Sequence, residues 1–218
     1  HTYGWRRATI IASFANAVIL LVAMGSLAWE AVGRLGESTP VHGGTVIVVA
    51  AVGVVINFAT AWLFLRGRDD LNIQGAFLHM LADGLVSVGV VVSGALMLWF
   101  GWNWLDPVIS LGIAAIVVAG TWSLFRKSLH LLFDGVPDGI SLPAIRASLE
   151  AIEGVAAVHH VHVWALGTSE NALTAHLVLV EGADADQVLA EANHQLAHKH
   201  SIKHATLQVE SAGYARGC

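Results

Sequence analysis

His79 and Asp83 stand four residues apart in Gln74-Gly75-Ala76-Phe77-Leu78-His79-Met80-Leu81-Ala82-Asp83-Gly84, inside a stretch that is otherwise free of charge. In a helix this spacing puts both side chains on one face, about one turn apart. An ionised carboxylate near the middle of a bilayer costs about 2.5 to 3.5 kcal/mol even on a lenient insertion scale. Two arrangements offset that cost: a protonated or His79-bonded Asp83 that holds helices together, or a bound cation. Imidazole nitrogen with carboxylate oxygen suits zinc and similar divalent ions. Two ligands leave a tetrahedron half filled, and the other apolar stretches carry no acid, histidine or thiol at mid-depth. Asn16 and Asn57 are the strong polar side chains there, and they read as interhelical hydrogen-bonding residues rather than ligands.

A second concentration of chemistry lies near the C-terminus, where eight of the twelve histidines follow residue 158. A regular strand through Val158 to Trp164 points His160 and His162 to one side and His159 to the other. His194 and His198 share a helix face at a metal-compatible spacing, but beside Glu191, Lys199 and His200 that face reads as solvated. Glu30 and His42 lie near the far membrane face and read as hydrated. Asp106 before Pro107 reads as an N-cap followed by proline at the first helical position.

The elements that must position these groups divide the chain in two. Charged residues make up only 12% against 56% hydrophobic, about half the charge of an ordinary soluble domain, and the charge-free runs precede residue 126. Four stretches reach the roughly 20 apolar residues a bilayer demands: Ala8 to Trp29, Gly43 to Leu65, Ile73 to Phe100, and Pro107 to Phe125. Arg6 with Arg7, Arg66 with Arg68, and Arg126 with Lys127 all fall on one side, which the positive-inside rule makes cytoplasmic. Trp99, Trp102 and Trp104 cluster opposite, as interfacial anchors do. Gly75, Ala82 and Gly89 recur every seven residues beside the His-Asp face, the pattern of close helix packing. Net charge of -5 without a basic stripe excludes nucleic acid as partner. The one cysteine, Cys218, forbids an intrachain disulfide.

After Pro137-Asp138-Gly139 the pattern becomes that of a soluble domain. Ser141 caps a helix to about Ile152; Val155 to Trp164 and Ala172 to Val180 read as strands, Asp184 to His198 as a helix, Ala205 to Glu210 as a last strand. The order αββαβ predicts a small ferredoxin-like α+β domain, residues 137–218, after a transmembrane helical domain, residues 1–136. So thin a core is expected to gain stability from a second copy.

These segments resemble the cation diffusion facilitator family of zinc-type metal/proton antiporters. The likeness runs through Asp70 to Asp83 and Ser87, Trp104-Leu105-Asp106-Pro107, Leu129 to Leu132, and Gly135-Val136-Pro137. It continues through His159 to Trp164, Leu173 to Leu177 and His204 to Glu210; His1-Thr2-Tyr3-Gly4 resembles the loop before the family's third helix. The resemblance implies a six-helix bundle of which this chain carries helices three to six, with His79 and Asp83 as the fifth-helix ligands and a partner pair on the absent second helix. It implies zinc, cobalt, cadmium, nickel or iron as the transported and regulatory ion, exchanged for protons. It also implies a homodimer in a bacterial inner membrane with a cytoplasmic C-terminal domain, in which His159, His176 and Glu210 resemble cytoplasmic metal ligands. Gln208 stands where some members carry histidine. No His-Glu-x-x-His or Gly-x-Ser-x-Gly motif is present, which argues against an intramembrane enzyme. The rival expectation is a non-transporting metal-binding or sensing subunit that dimerises through its soluble domain.

Overall fold

A computed structural model describes residues 2–35, 43–65, 70–102 and 104–211. His1, His42, Arg66, Arg68 and Cys218, which enter the sequence reading, lie outside the described residues. The chain divides into two compact units, Ile10–Leu129 and His1–Thr9 with His130–Cys218.

The first unit is helical. Helices α1 (Arg6–Arg34), α2 (Gly43–Phe64), α3 (Leu71–Phe100) and α4 (Leu105–Leu132) cover the four apolar stretches, and each is long and apolar enough to cross a membrane. At 1.5 Å per residue the 30-residue α3 is about 45 Å long, beyond the roughly 30 Å of hydrocarbon. α1 and α4 likewise overrun the stretches read from composition, because helical hydrogen bonding continues into polar flanks where water removes the need for apolar side chains.

Packing in this unit centres on α3. Leu20 and Met24 of α1, Ala82 of α3, and Ala114 and Val117 of α4 form a buried cluster. The small residues at seven-residue spacing line this contact. A Cβ at Gly75 would lie 3.0 Å from Asn16 Nδ2 and 3.5 Å from a Leu124 methyl, and one at Gly89 only 2.5 Å from Ile113 Cδ1. Asn16 therefore touches a neighbouring helix, in keeping with an interhelical role. Elsewhere α3 meets α2: a Cβ at Gly84 would lie 3.1 Å from the Phe58 ring, and one at Gly53 3.1 Å from Ser87 Oγ.

Asp106 departs from its expected part as an N-cap. Helix α4 begins one residue earlier, at Leu105, so Asp106 sits within the first turn. Its two oxygens are taken by other helices: Oδ1 accepts from Ser93 Oγ at 2.9 Å and Oδ2 from Arg34 Nη1 at 3.0 Å. Arg34 also faces Glu30 at 3.4 Å. One carboxylate thus ties the ends of α1, α3 and α4 together. Glu30 is exposed, as the sequence reading had it.

The second unit contains α5 (Leu142–Glu150), β1 (Val155–Ala165), β2 (Asn171–Leu179), α6 (Ala185–Lys199) and β3 (His204–Ser211). This is the αββαβ order of the ferredoxin-like prediction. Local chemistry fixes the boundaries. Ser141 Oγ accepts from Ala144 N at the start of α5, with proline in the first turn, and Asp184 caps α6 by accepting from Asp186 N and Gln187 N. β2 is central, antiparallel to β1 and parallel to β3. Ile145 and Leu149 of α5 and Val188, Ala192 and Leu196 of α6 pack on Val158, Val163, Leu173, Ala175 and Leu177. The sheet therefore has one helix-covered apolar face and one polar face. On the polar face histidines from adjacent strands meet.

Candidate metal centres

In α3 the four-residue spacing places His79 Nε2 3.5 Å from Asp83 Oδ2. That separation is close to the edge of a zinc tetrahedron, about 3.4 Å for ligands 2.0 to 2.1 Å from the ion. The two side chains are 41% and 45% accessible, so the pair lies on a partly open face of the helix. His79 Nδ1, by contrast, is buried and without a hydrogen-bond partner. Ser87, one further turn along, donates to the Asp83 carbonyl at 2.7 Å. Among the described residues no third histidine, cysteine or acid comes within 4.8 Å of this pair. The pair by itself offers two ligand atoms, one nitrogen and one oxygen.

The cytoplasmic group is built differently. Strand pairing sets His159 opposite His176, and His176 opposite Gln208, in one row across three strands. Glu210, two residues along β3, returns to the same face. Its Oε2 lies 3.1 Å from His159 Nε2 and its Oε1 2.8 Å from His176 Nδ1, so each oxygen serves one imidazole. The His176 contact is short but poorly aligned for a hydrogen bond, and Nδ1 is left buried without a donor or acceptor partner. Gln208 Nε2 donates to Oε1 at 2.8 Å. His159, His176 and Glu210 form the one group of three or more ligand-type side chains within 4.8 Å among the described residues.

Glu210 is only 5% exposed. Burial works to raise its pKa, but the hydrogen bond and charge of His159 and the close approach of the His176 imidazole together outweigh it and hold the carboxyl below the ordinary value of 4.5. A carboxylate kept ionised between two imidazoles is prepared for a cation. Deprotonation is the step that metal binding otherwise has to drive.

The strand reading of His159 and His160 needs correction. From His159 to His162, β1 advances three residues while β2 advances two, from His176 to Thr174. This bulge puts His160 on the same side as His159, with ring centroids 5.0 Å apart. Remaining histidines have other partners. The rings of His194 and His198 lie tilted against each other at 4.5 Å on α6, His200 pairs with Ser148 Oγ at 2.9 Å, and His204 Nε2 accepts from Arg6 Nη1 at 2.8 Å. The sequence reading missed the Arg34, Ser93 and Asp106 cluster, for which it held no local signal.

Comparison with known proteins places the chain. Residues 1–133 match the cation efflux transmembrane domain, and residues 137–212 the cytoplasmic domain of cation efflux proteins. The chain belongs to the cation efflux family. Cation efflux proteins, also called cation diffusion facilitators, are membrane transporters and not an enzyme class, so the four apolar helices are membrane spans and the C-terminal domain is cytoplasmic. The zinc transporter ZitB of Escherichia coli (strain K12) is 34% identical over 213 residues, 96% of this chain and 68% of that protein. A cadmium, cobalt and zinc/H(+)-K(+) antiporter of Bacillus subtilis (strain 168) is 31% identical, over 98% of this chain and 70% of that protein. A solved structure of the metal-bound C-terminal domain of the CzcD transporter from Cupriavidus metallidurans shares 33% identity, covering 33% of this chain and 99% of that one, with a TM-score of 0.32.

Proposed function

We propose that this cation efflux protein moves divalent metal, zinc foremost, out of the cytoplasm in exchange for protons, and that His79 and Asp83 are ligands for the ion in transit. The observation that carries the reading is their placement one turn apart, 3.5 Å between ligand atoms, on a membrane helix otherwise free of charge. A carboxylate in hydrocarbon is costly without a compensating charge, and a divalent ion supplies it. Binding needs neutral His79 and ionised Asp83, so protonation from the far side weakens the site and releases the ion. The names of the relatives, a zinc transporter and a metal/proton antiporter, support this cargo and this exchange.

The cytoplasmic domain, which we take as residues 137–218, binds metal through His159, His176 and Glu210 and pairs two copies of the chain. Zinc fits both sites, and cobalt, cadmium, nickel and iron(II) share the ligand chemistry. A second reading, a non-transporting sensor, draws support from the compactness of the cytoplasmic group against the open intramembrane pair. Reconstitution of the transporter in proteoliposomes with a trapped pH dye separates the two. Zinc-dependent proton flux is lost in Asp83→Ala and His79→Ala; wild-type flux in Asp83→Ala would refute the assignment.

A further inference from the structure

Histidine 160 is left unexplained by a three-ligand cytoplasmic site. Its backbone has φ 51°, the left-handed region that few non-glycine residues adopt, although histidine is among those enriched there. The conformation is part of the bulge in β1, whose extra residue falls between His159 and His162. A regular strand would send the His160 side chain into the helix-covered face. The bulge sends Val161 there instead, where it packs on the core, and brings His160 out among the other imidazoles.

The ring positions point to a common purpose. Centroids lie 5.0 Å apart for His159 and His160, 5.0 Å for His160 and His176, and 5.1 Å for His159 and His176. None of the three pairs stacks face to face: their interplanar angles are 66°, 49° and 66°. For imidazoles bound to one tetrahedral zinc, with nitrogen about 2.05 Å and ring centre about 3.2 Å from the ion, centroids stand about 5.2 Å apart. The near-equilateral triangle matches that figure on every side. Glu210 touches two of the three rings, His159 at 3.1 Å and His176 at 2.8 Å.

We infer that His160 is the fourth ligand of the cytoplasmic site, giving a closed set of three imidazoles and one carboxylate for a zinc-class divalent ion. The inference rests on the reading of His159, His176 and Glu210 as ligands. The nitrogens of His160 stand outside the 4.8 Å group formed by the other three. Rotation about its Cβ–Cγ bond leaves the ring centre in place and exchanges the edge presented, and that torsion has broad, shallow wells. Gln208 then needs no place in the shell; its amide holds the Glu210 oxygen that faces His176. Four protein ligands make a closed site, of the kind that retains an ion. A closed shell marks the cytoplasmic ion as resident and not as cargo.

The test uses the full chain in detergent with His79→Ala and Asp83→Ala removing the intramembrane pair. Cobalt(II) is the probe, because tetrahedral cobalt absorbs far more strongly in the visible than five- or six-coordinate cobalt. His160→Asn is the variant, since asparagine accepts the left-handed backbone and lacks an imidazole. We expect intense visible bands in the parent, and in His160→Asn weaker bands with cobalt affinity lower by about tenfold or more. Metal-free melting is unchanged and the stabilisation by cobalt is reduced. Bands and affinity equal to the parent in His160→Asn would overturn the fourth ligand. A double variant, His159→Ala with His176→Ala, tells the two failures apart. If it too binds cobalt as the parent does, the three-ligand reading falls with the fourth. If it loses cobalt while His160→Asn keeps it, only the fourth ligand falls.

Discussion

The two candidate ligand groups combine imidazole and carboxylate in opposite styles. In α3, one histidine and one aspartate stand 3.5 Å apart with more than two-fifths of each side chain accessible. In the cytoplasmic sheet, two histidines close on a glutamate that is 5% exposed, at 3.1 and 2.8 Å. On the proposed reading, an ion released each cycle needs a shell that comes apart, and two ligands on a single helix leave the rest of that shell to other elements. On the same reading, a retained ion needs a shell that stays assembled, and His159, His176 and Glu210 are fixed on three hydrogen-bonded strands. That reading makes rigidity of support, more than ligand identity, the difference between carriage and retention.

Exchanging the loss between the two sites breaks this comparison most sharply. Asp83→Asn is expected to lower zinc-driven proton flux in proteoliposomes by about a hundredfold or more, since a neutral amide neither offsets the ion's charge nor titrates. Glu210→Gln is expected to leave flux within several-fold of wild type while abolishing stabilisation of the cytoplasmic domain by zinc in thermal melts. Equal damage from both substitutions would show the sites to be functionally one.

Support of the intramembrane pair is the next target. Gly89→Ala forces a methyl to 2.5 Å from Ile113 Cδ1, overpacking worth about 1 to 3 kcal/mol. The expected result is a lower melting temperature in detergent, largely restored by Ile113→Val. Acid then probes the cytoplasmic site. Because the Glu210 carboxyl is held below 4.5 when folded, its contribution is full above that value and disappears as pH falls through the lowered native pKa. The melting temperature of wild type should therefore exceed that of Glu210→Gln near pH 7 and converge with it on strong acidification. The smallest effect is expected at the helix cap: Asp184→Ala removes the acceptor for Asp186 N and Gln187 N, costing the domain about 1 kcal/mol with metal binding unaltered.

Much of the fold was legible because local signals agreed with the global solution. Ser141, Asp184 and the alternating apolar residues of β2 fix element types and boundaries with no long-range information. The His79 and Asp83 pairing was legible too, since helical spacing alone juxtaposes them. The Asp106 cluster was not, because Arg34 is 72 residues away and Ser93 13. The bulge lay between these extremes. Apolar Val158, Val161 and Val163 break the two-residue period once, and that break marks the extra residue. Strict alternation applied across it puts His160 on the wrong side.

The same extra residue falls in β1, which forms an outer margin of the three-stranded sheet. An outer strand with a straight, unbroken row of amide and carbonyl groups invites a foreign strand to zip alongside. Displaced carbonyls and added twist spoil that template. A bulged edge is thus a poorer template for a foreign strand than a straight one.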